Sequence, residues 1–248
     1  EELYRAINDN LDVRVKYIEF LRTSQKELSF LLSKAVNSAC RDSAVGLQYC
    51  ANGGLTGYGY EHMFSAMRDA TGKAPRTRPG GGAYDDYDIN AFIEKICIIN
   101  YQNHMLPSFV EEKCPEIENL PDVKFGKTIA GTCFETTLYL ASGCTSASYA
   151  MLMNDYEPME WHGEMLGEFS RHAPYWEKLA ECSKQSVQAG IVLALPEKAY
   201  LAKTKEDFAW CHEPWSSGTE LMLCGIPTAY SHDTESTCFL HNNCAQVM

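Results

Sequence analysis

Lys113-Cys114-Pro115-Glu116-Ile117-Glu118-Asn119-Leu120-Pro121 stands between two helical stretches, and its reading decides the fold. Asp88 caps a helix predicted over residues 89–105. A further helix is predicted over about residues 125–142. The stretch between them reads as a strand. Glu116 and Glu118 lie two apart, so on an extended chain both carboxylates point the same way. Pro115 donates no ladder hydrogen bond, so this strand is expected to be short or bulged there.

The same alternation extends in both directions. Residues 1–43 read as helical, with Leu11, Val15, Ile18 and Leu21, then Leu28, Leu31 and Leu32, at three- and four-residue steps. The apolar run at 44–50 reads as a strand stopped by Asn52-Gly53-Gly54. A helix at 58–70 is closed by Gly72, and Arg76-Thr77-Arg78-Pro79 leads into Gly80-Gly81-Gly82. Residues 144–153 form a small-residue strand ending at Asn154-Asp155, followed by a helix over about 160–186. The order is a helix, then four strand–helix units of about 30 residues, which implies a parallel sheet with helical crossovers. In such sheets functional side chains gather at the carboxyl ends of the strands. The polar, Gly-rich and acidic clusters of this chain all follow strands. The composition shifts at Ala189-Gly190. A strand at 191–196, a helix near 218–224 and a strand at 227–230 read as the start of a second α/β domain. The domains are therefore expected at 1–187 and 188–248, and both chain ends read as cut.

With 33 acidic against 21 basic residues, the formal charge of the 248-residue chain is −12. No Lys/Arg surface is clustered for phosphate neutralisation, which argues against nucleic acid as a partner. No apolar run reaches the roughly 18 residues of a membrane span, so no membrane is expected either. The eleven cysteines are scattered, without a CxxC. They read as free thiols in a reducing compartment, with a cytoplasmic location and no disulfide expected. The chain starts at Glu1 rather than at a methionine.

Glu116 and Glu118, at a strand end, have the residue type and place of a glycosidase carboxylate, and a solvated acidic loop is the plain alternative. Tyr84-Asp85-Asp86-Tyr87 sets aromatic rings beside carboxylates, which suits sugar faces and hydroxyls; Asp85 and Asp86 equally suit the lead into a capped helix. Arg78 could neutralise a carboxylate or stand on the surface. Asn52, Asn119, Asp155 and Trp161 complete the candidate substrate-binding set, with helix packing as the alternative for Trp161. Cys238-x-x-His241-x-x-Cys244, with His232 upstream, carries metal-ligand residue types, but the spacing suits ordinary packing better, so no metal is assigned. Gly80-Gly81-Gly82 lacks a Walker pattern and a following Lys, so no phosphate or cofactor site is assigned.

Asn52-Gly-Gly, Arg78-Pro-Gly-Gly-Gly-Ala-Tyr, Glu116-Ile-Glu-Asn-Leu-Pro with Lys127-Thr128, and Gly143-Cys144-Thr145 together resemble the second half of a TIM-barrel glycoside hydrolase. The family is the β-galactosidase-like group of clan A, as found in gut anaerobes, which implies a bacterial enzyme. The resemblance covers about residues 1–187. The chain after Gly190 resembles the start of a glutamine-amidotransferase-like domain. The resemblance implies the carboxyl-terminal half of a (β/α)8 barrel and a retaining hydrolase of O-glycosidic bonds in carbohydrate metabolism. It makes Glu118 the first choice for nucleophile and Glu116 the second, and places the acid/base carboxylate upstream of Glu1. The expected partner is a carbohydrate substrate, with homo-oligomerisation left open. The alternative is a non-catalytic carbohydrate-binding or scaffold protein on a degenerate half barrel.

Overall fold

Asn10 ends one helix and begins the next. Its side-chain oxygen accepts from the Val13 N–H at 3.2 Å and caps α2 (Leu11–Ala39), which follows the short α1 (Glu2–Asp9). The computed structural model describes residues 2–48, 60–80, 83–119, 126–151, 158–194, 201 and 216–231. Helix α2 packs along α3 (Glu61–Thr71). Gly72, with φ of 70°, takes the left-handed conformation that ends α3. Phe64 and Met67 of α3 form a small core with Val110.

The strands are short and parallel. β1 (Gly46–Gln48) pairs with β2 (Arg76–Arg78), and β2 with β3 (Glu112–Lys113). β4 (Glu116–Glu118) pairs with β5 (Ser148–Ala150). Cys114-Pro115 separates β3 from β4, the interruption expected of a proline that cannot donate to a ladder. The extended segment nonetheless runs on. The Cys114 N–H donates to Thr77 O at 2.9 Å, and Pro115 O accepts from the Ser148 N–H at 2.9 Å. The segment 112–118 therefore stands between β2 and β5, and the strands follow one another in chain order and in one direction. On the other side Pro79 follows β2 directly and, having no N–H, cannot extend the ladder toward β4.

Helices lie between the strands. α3 joins β1 to β2, α4 (Ile89–His104) joins β2 to β3, and α5 (Ile129–Ala141) joins β4 to β5. α6 (Gly163–Lys184) follows β5 behind a 3-10 turn at Met159–His162. Beyond it, β6 (Ile191–Ala194) and β7 (Thr228–Ser231) form a second parallel pair, with α7 (Ser216–Leu223) between them in sequence. The fold is α/β with parallel strands, and no closed barrel forms among the described residues.

Helix α4 faces two cores. Cys97, Ile98, Tyr101 and Met105 pack with Leu193 of β6 and Tyr230 of β7. Phe92, Ile96 and Ile99 pack with Ile117 of β4 and Tyr139 of α5. A helix covered on both sides is buried all round rather than along one stripe, and residues 95–103 are all buried, Lys95, Asn100, Gln102 and Asn103 among them.

The sheet itself is two-faced. Ile117 is fully buried against the helices, whereas its neighbours Glu116 and Glu118 are half-buried on the other side. Thr77 is buried on the helix side and Arg76 and Arg78 share the opposite face. One face is core; the other is polar and reaches solvent.

Seven cysteines (40, 97, 114, 133, 144, 182 and 224) are free thiols. Cys50, Cys211, Cys238 and Cys244 lie outside the described residues, as do His232 and His241. Burial pushes the Cys97 thiol up to about 11 and the Cys144 thiol up to about 12, from an ordinary 9.0. Above pH 9 the unfolded chain loses these protons while the folded chain keeps them, so stability falls as pH rises from 9 toward 12. The urea midpoint is expected to drop across that window, and to drop less steeply in Cys144→Ala. Equal slopes in the two proteins would remove Cys144 from the effect.

Candidate functional site

Glu116 and Glu118 project from β4 onto the open face of the sheet. Arg78, the last residue of β2, forms an ion pair with Glu116. The Arg78 Nε is buried and has no hydrogen-bond partner among the described residues. The Glu118 carboxylate makes no hydrogen bond or ion pair with any described side chain. Asn119, 5 % exposed, continues the strand, its N–H donating to Ala150 O at 3.2 Å.

Under this strand end lies a buried charge network. Among the described residues β4 pairs only with β5, so no ladder donor among them reaches the carbonyls of Glu116 and Glu118. Buried carbonyls need partners, and two lysines supply them. Lys95 of α4 donates to Glu116 O at 3.1 Å. Lys127, just ahead of α5, donates to Glu118 O at 3.1 Å and to Ala83 O at 2.8 Å. Both ammonium groups converge on Glu135 of α5: Lys127 pairs with it directly, and Lys95 lies 3.6 Å away. The Tyr139 hydroxyl donates to the same carboxylate. The three charged side chains are at most 1 % exposed. Lys127 spends all three ammonium protons in this way.

Burial pushes the Lys95 ammonium below its usual range; Glu135 opposes that shift and Lys127 adds to it. Burial, then the negative charge of Glu135, drives the Tyr139 hydroxyl well above its ordinary value. With both lysines protonated the network carries one net positive charge beneath the two strand glutamates.

Lys127 also fixes the loop after β2 by holding Ala83 O. Next to Ala83, Tyr84 is 39 % exposed. Asp86 accepts from the Thr128 N–H at 2.7 Å and from its hydroxyl at 2.5 Å. The Thr128 hydroxyl in turn accepts from the Gly131 N–H at 2.9 Å and caps α5. A Cβ on Gly131 would collide with the Asp86 carboxylate, so glycine is what lets Asp86 sit against the first helical turn. A carboxylate at that place also complements the helix dipole. Asp86→Ala is expected to cost about 1 kcal/mol, as the loss of a helix cap does. Thermal unfolding measures it, and an unchanged midpoint would mean the contact carries no stability.

The structure thus brings Arg78, Glu116, Glu118 and Asn119 to one strand end and ties the Tyr84–Asp86 loop to it through Lys127. Trp161 lies in the turn ahead of α6 and is 61 % exposed. Asn52 and Asp155 lie outside the described residues. Sequence reasoning missed the roles of Lys95, Lys127 and Glu135. A signal was present: Glu135 is the one charged residue in Ile129–Ala141. A lone charge in an apolar helix calls for a buried partner.

Among the described residues no group of three or more His, Cys, Asp or Glu is arranged to hold a metal ion. Nor is any helix among them long and apolar enough to cross a membrane. Compared with known proteins, the chain matches no protein-family model, no curated protein and no solved structure.

Proposed function

We propose that this chain is the carboxyl-terminal half of a (β/α)8 barrel from a retaining O-glycoside hydrolase, with Glu118 as the nucleophile. The observation that carries this reading is the asymmetry of the glutamate pair. Glu116 is neutralised by Arg78, while the Glu118 carboxylate has no ion partner among the described residues and stands on the open face at the carboxyl end of a parallel strand. A free carboxylate there attacks the anomeric carbon and forms a glycosyl-enzyme, which water then hydrolyses. The buried donor on Arg78 Nε suits a sugar hydroxyl. The proton for the leaving group comes from a second carboxyl group about 5–5.5 Å from the nucleophile. Glu116 is held by Arg78, so that proton belongs to a third residue. Free thiols support a reducing compartment, the cytoplasm, for the enzyme.

Chemical rescue tests the assignment. In Glu118→Gly, azide should restore turnover of an aryl glycoside and give a glycosyl azide of inverted configuration, because the small anion occupies the vacated space. Rescue of Glu116→Gly instead would exchange the two roles. Sugar binding with no turnover in the wild-type protein, and no rescue of either variant, would favour the non-catalytic carbohydrate-binding reading.

A further inference from the structure

At the amino ends of the strands, opposite to Glu118, a cavity of about 810 Å³ opens where three helices finish. Its wall includes Asn103 near the end of α4, Ser142 after α5 and Lys184 at the end of α6, together with Glu111, Lys113 and Gln188. The size is that of a small-molecule site.

Two features of the wall call for a ligand. Asn103 is 6 % exposed, and its Nδ2 donates to Ser142 O at 3.0 Å. That bond fixes the amide, so Oδ1 is left as an acceptor, and it is buried without a partner among the described residues. Gln188 adds a second buried amide oxygen without one. Leaving such acceptors unmet is costly, and the carboxyl ends of three helices add partial negative charge around them. Opposite in kind is Lys113 of β3. Its ammonium group makes no hydrogen bond or ion pair with any described residue, and burial holds it below its usual range. That cation has no ion-pair partner among the described residues.

We infer that the cavity binds a small molecule carrying both an ammonium and a carboxylate group, of the amino-acid class. Its ammonium donates to Asn103 Oδ1 and the helix-end carbonyls. Its carboxylate pairs with Lys113. One ligand of this kind satisfies both unmet demands, whereas a simple anion or a simple amine satisfies one and leaves the other buried and unpaired. The site does not depend on the glycosidase reading, because it shares no residue with the Glu118 end.

Isothermal titration calorimetry on the full chain tests it with glycine, L-alanine, L-glutamate and L-lysine as probes, and with acetate and methylammonium as controls. Saturable one-site binding is expected for at least one amino acid, with acetate and methylammonium each at least about tenfold weaker, as expected when one charged hydrogen-bonded end is lost. Lys113→Met should weaken the same amino acid by about tenfold or more. Asn103→Leu should do likewise, and its thermal unfolding curve shows whether the variant folds. If it does not, Lys113→Met and Gln188→Leu decide. No saturable binding by any of the four amino acids would overturn the proposal. So would acetate or methylammonium binding as tightly as the amino acid, or amino-acid binding that survives Lys113→Met unchanged.

Discussion

In the complete barrel, Glu118→Gln is expected to lower turnover of an activated aryl glycoside by about four orders of magnitude or more, the scale on which loss of a covalent nucleophile is felt. The amide keeps the size of the carboxylate but cannot attack the anomeric carbon. The Glu118 side chain lies half-buried on the open face, and the buried network holds its backbone carbonyl rather than its carboxylate. The fold should therefore survive, with stability changed by no more than about 1 kcal/mol. Glu116→Gln should behave differently. It breaks the ion pair with Arg78 and frees a guanidinium at the site. A raised KM with residual kcat is the expected signature, since Arg78 then loses its orientation but the nucleophile stays. Steady-state kinetics on the two variants, with circular dichroism to verify folding, separates the roles. Wild-type kcat in Glu118→Gln would remove this strand from catalysis.

Glu135→Gln is expected to destabilise the protein by about 3–5 kcal/mol, because it leaves Lys95 and Lys127 buried without a counter-charge. For a chain of this size that corresponds to a fall in Tm on the order of 10 °C. Replacing the whole network, with Lys95→Met, Lys127→Met and Glu135→Leu together, should recover part of the loss by removing the buried charges. Recovery should stay incomplete, since the carbonyls of Ala83, Glu116 and Glu118 would then have no donor. Denaturant unfolding of the single and triple variants reads both numbers. A Glu135→Gln protein within about 1 kcal/mol of wild type would mean that the lysines are neutral in the folded state. Because the same lysines hold the strand that carries Glu118, the single variant should also lose activity under conditions in which it is still folded.

Much of this architecture was legible from local chemistry. Asp88 caps α4 as its sequence predicts, accepting from the Asn90 and Ala91 N–H groups. Gly72 ends α3, and Pro115 splits the strand that carries the glutamates. Such features depend on a residue and its neighbours within a turn, so one chain suffices to show them. Parallel pairing followed from the spacing of strands and helices, since a parallel crossover needs a helix-length connection. One strand was overestimated at its start: of the stretch expected over 144–153, in which 152 and 153 lie outside the described residues, the strand begins only at Ser148 and is described over Ser148–Ala150. Gly143, with φ of 90°, and the contacts of Thr145 with Lys113 give the lead-in a turn instead.

What the sequence determined by itself was the order of elements, their caps and breaks, and the shared direction of Glu116 and Glu118, because period, proline and glycine act locally. Only the tertiary structure decided which of those glutamates is paired, since Arg78 lies 38 positions away in the chain and reaches Glu116 only when β2 and the segment 112–118 align. It alone decided that Lys95, Lys127 and Glu135 meet beneath the strand end. Lys95 and Lys127 look like ordinary charges on or beside a helix, and the lone charge of Glu135 in α5 does not by itself name its partners. Their meeting gives donors to strand carbonyls that no ladder partner among the described residues satisfies.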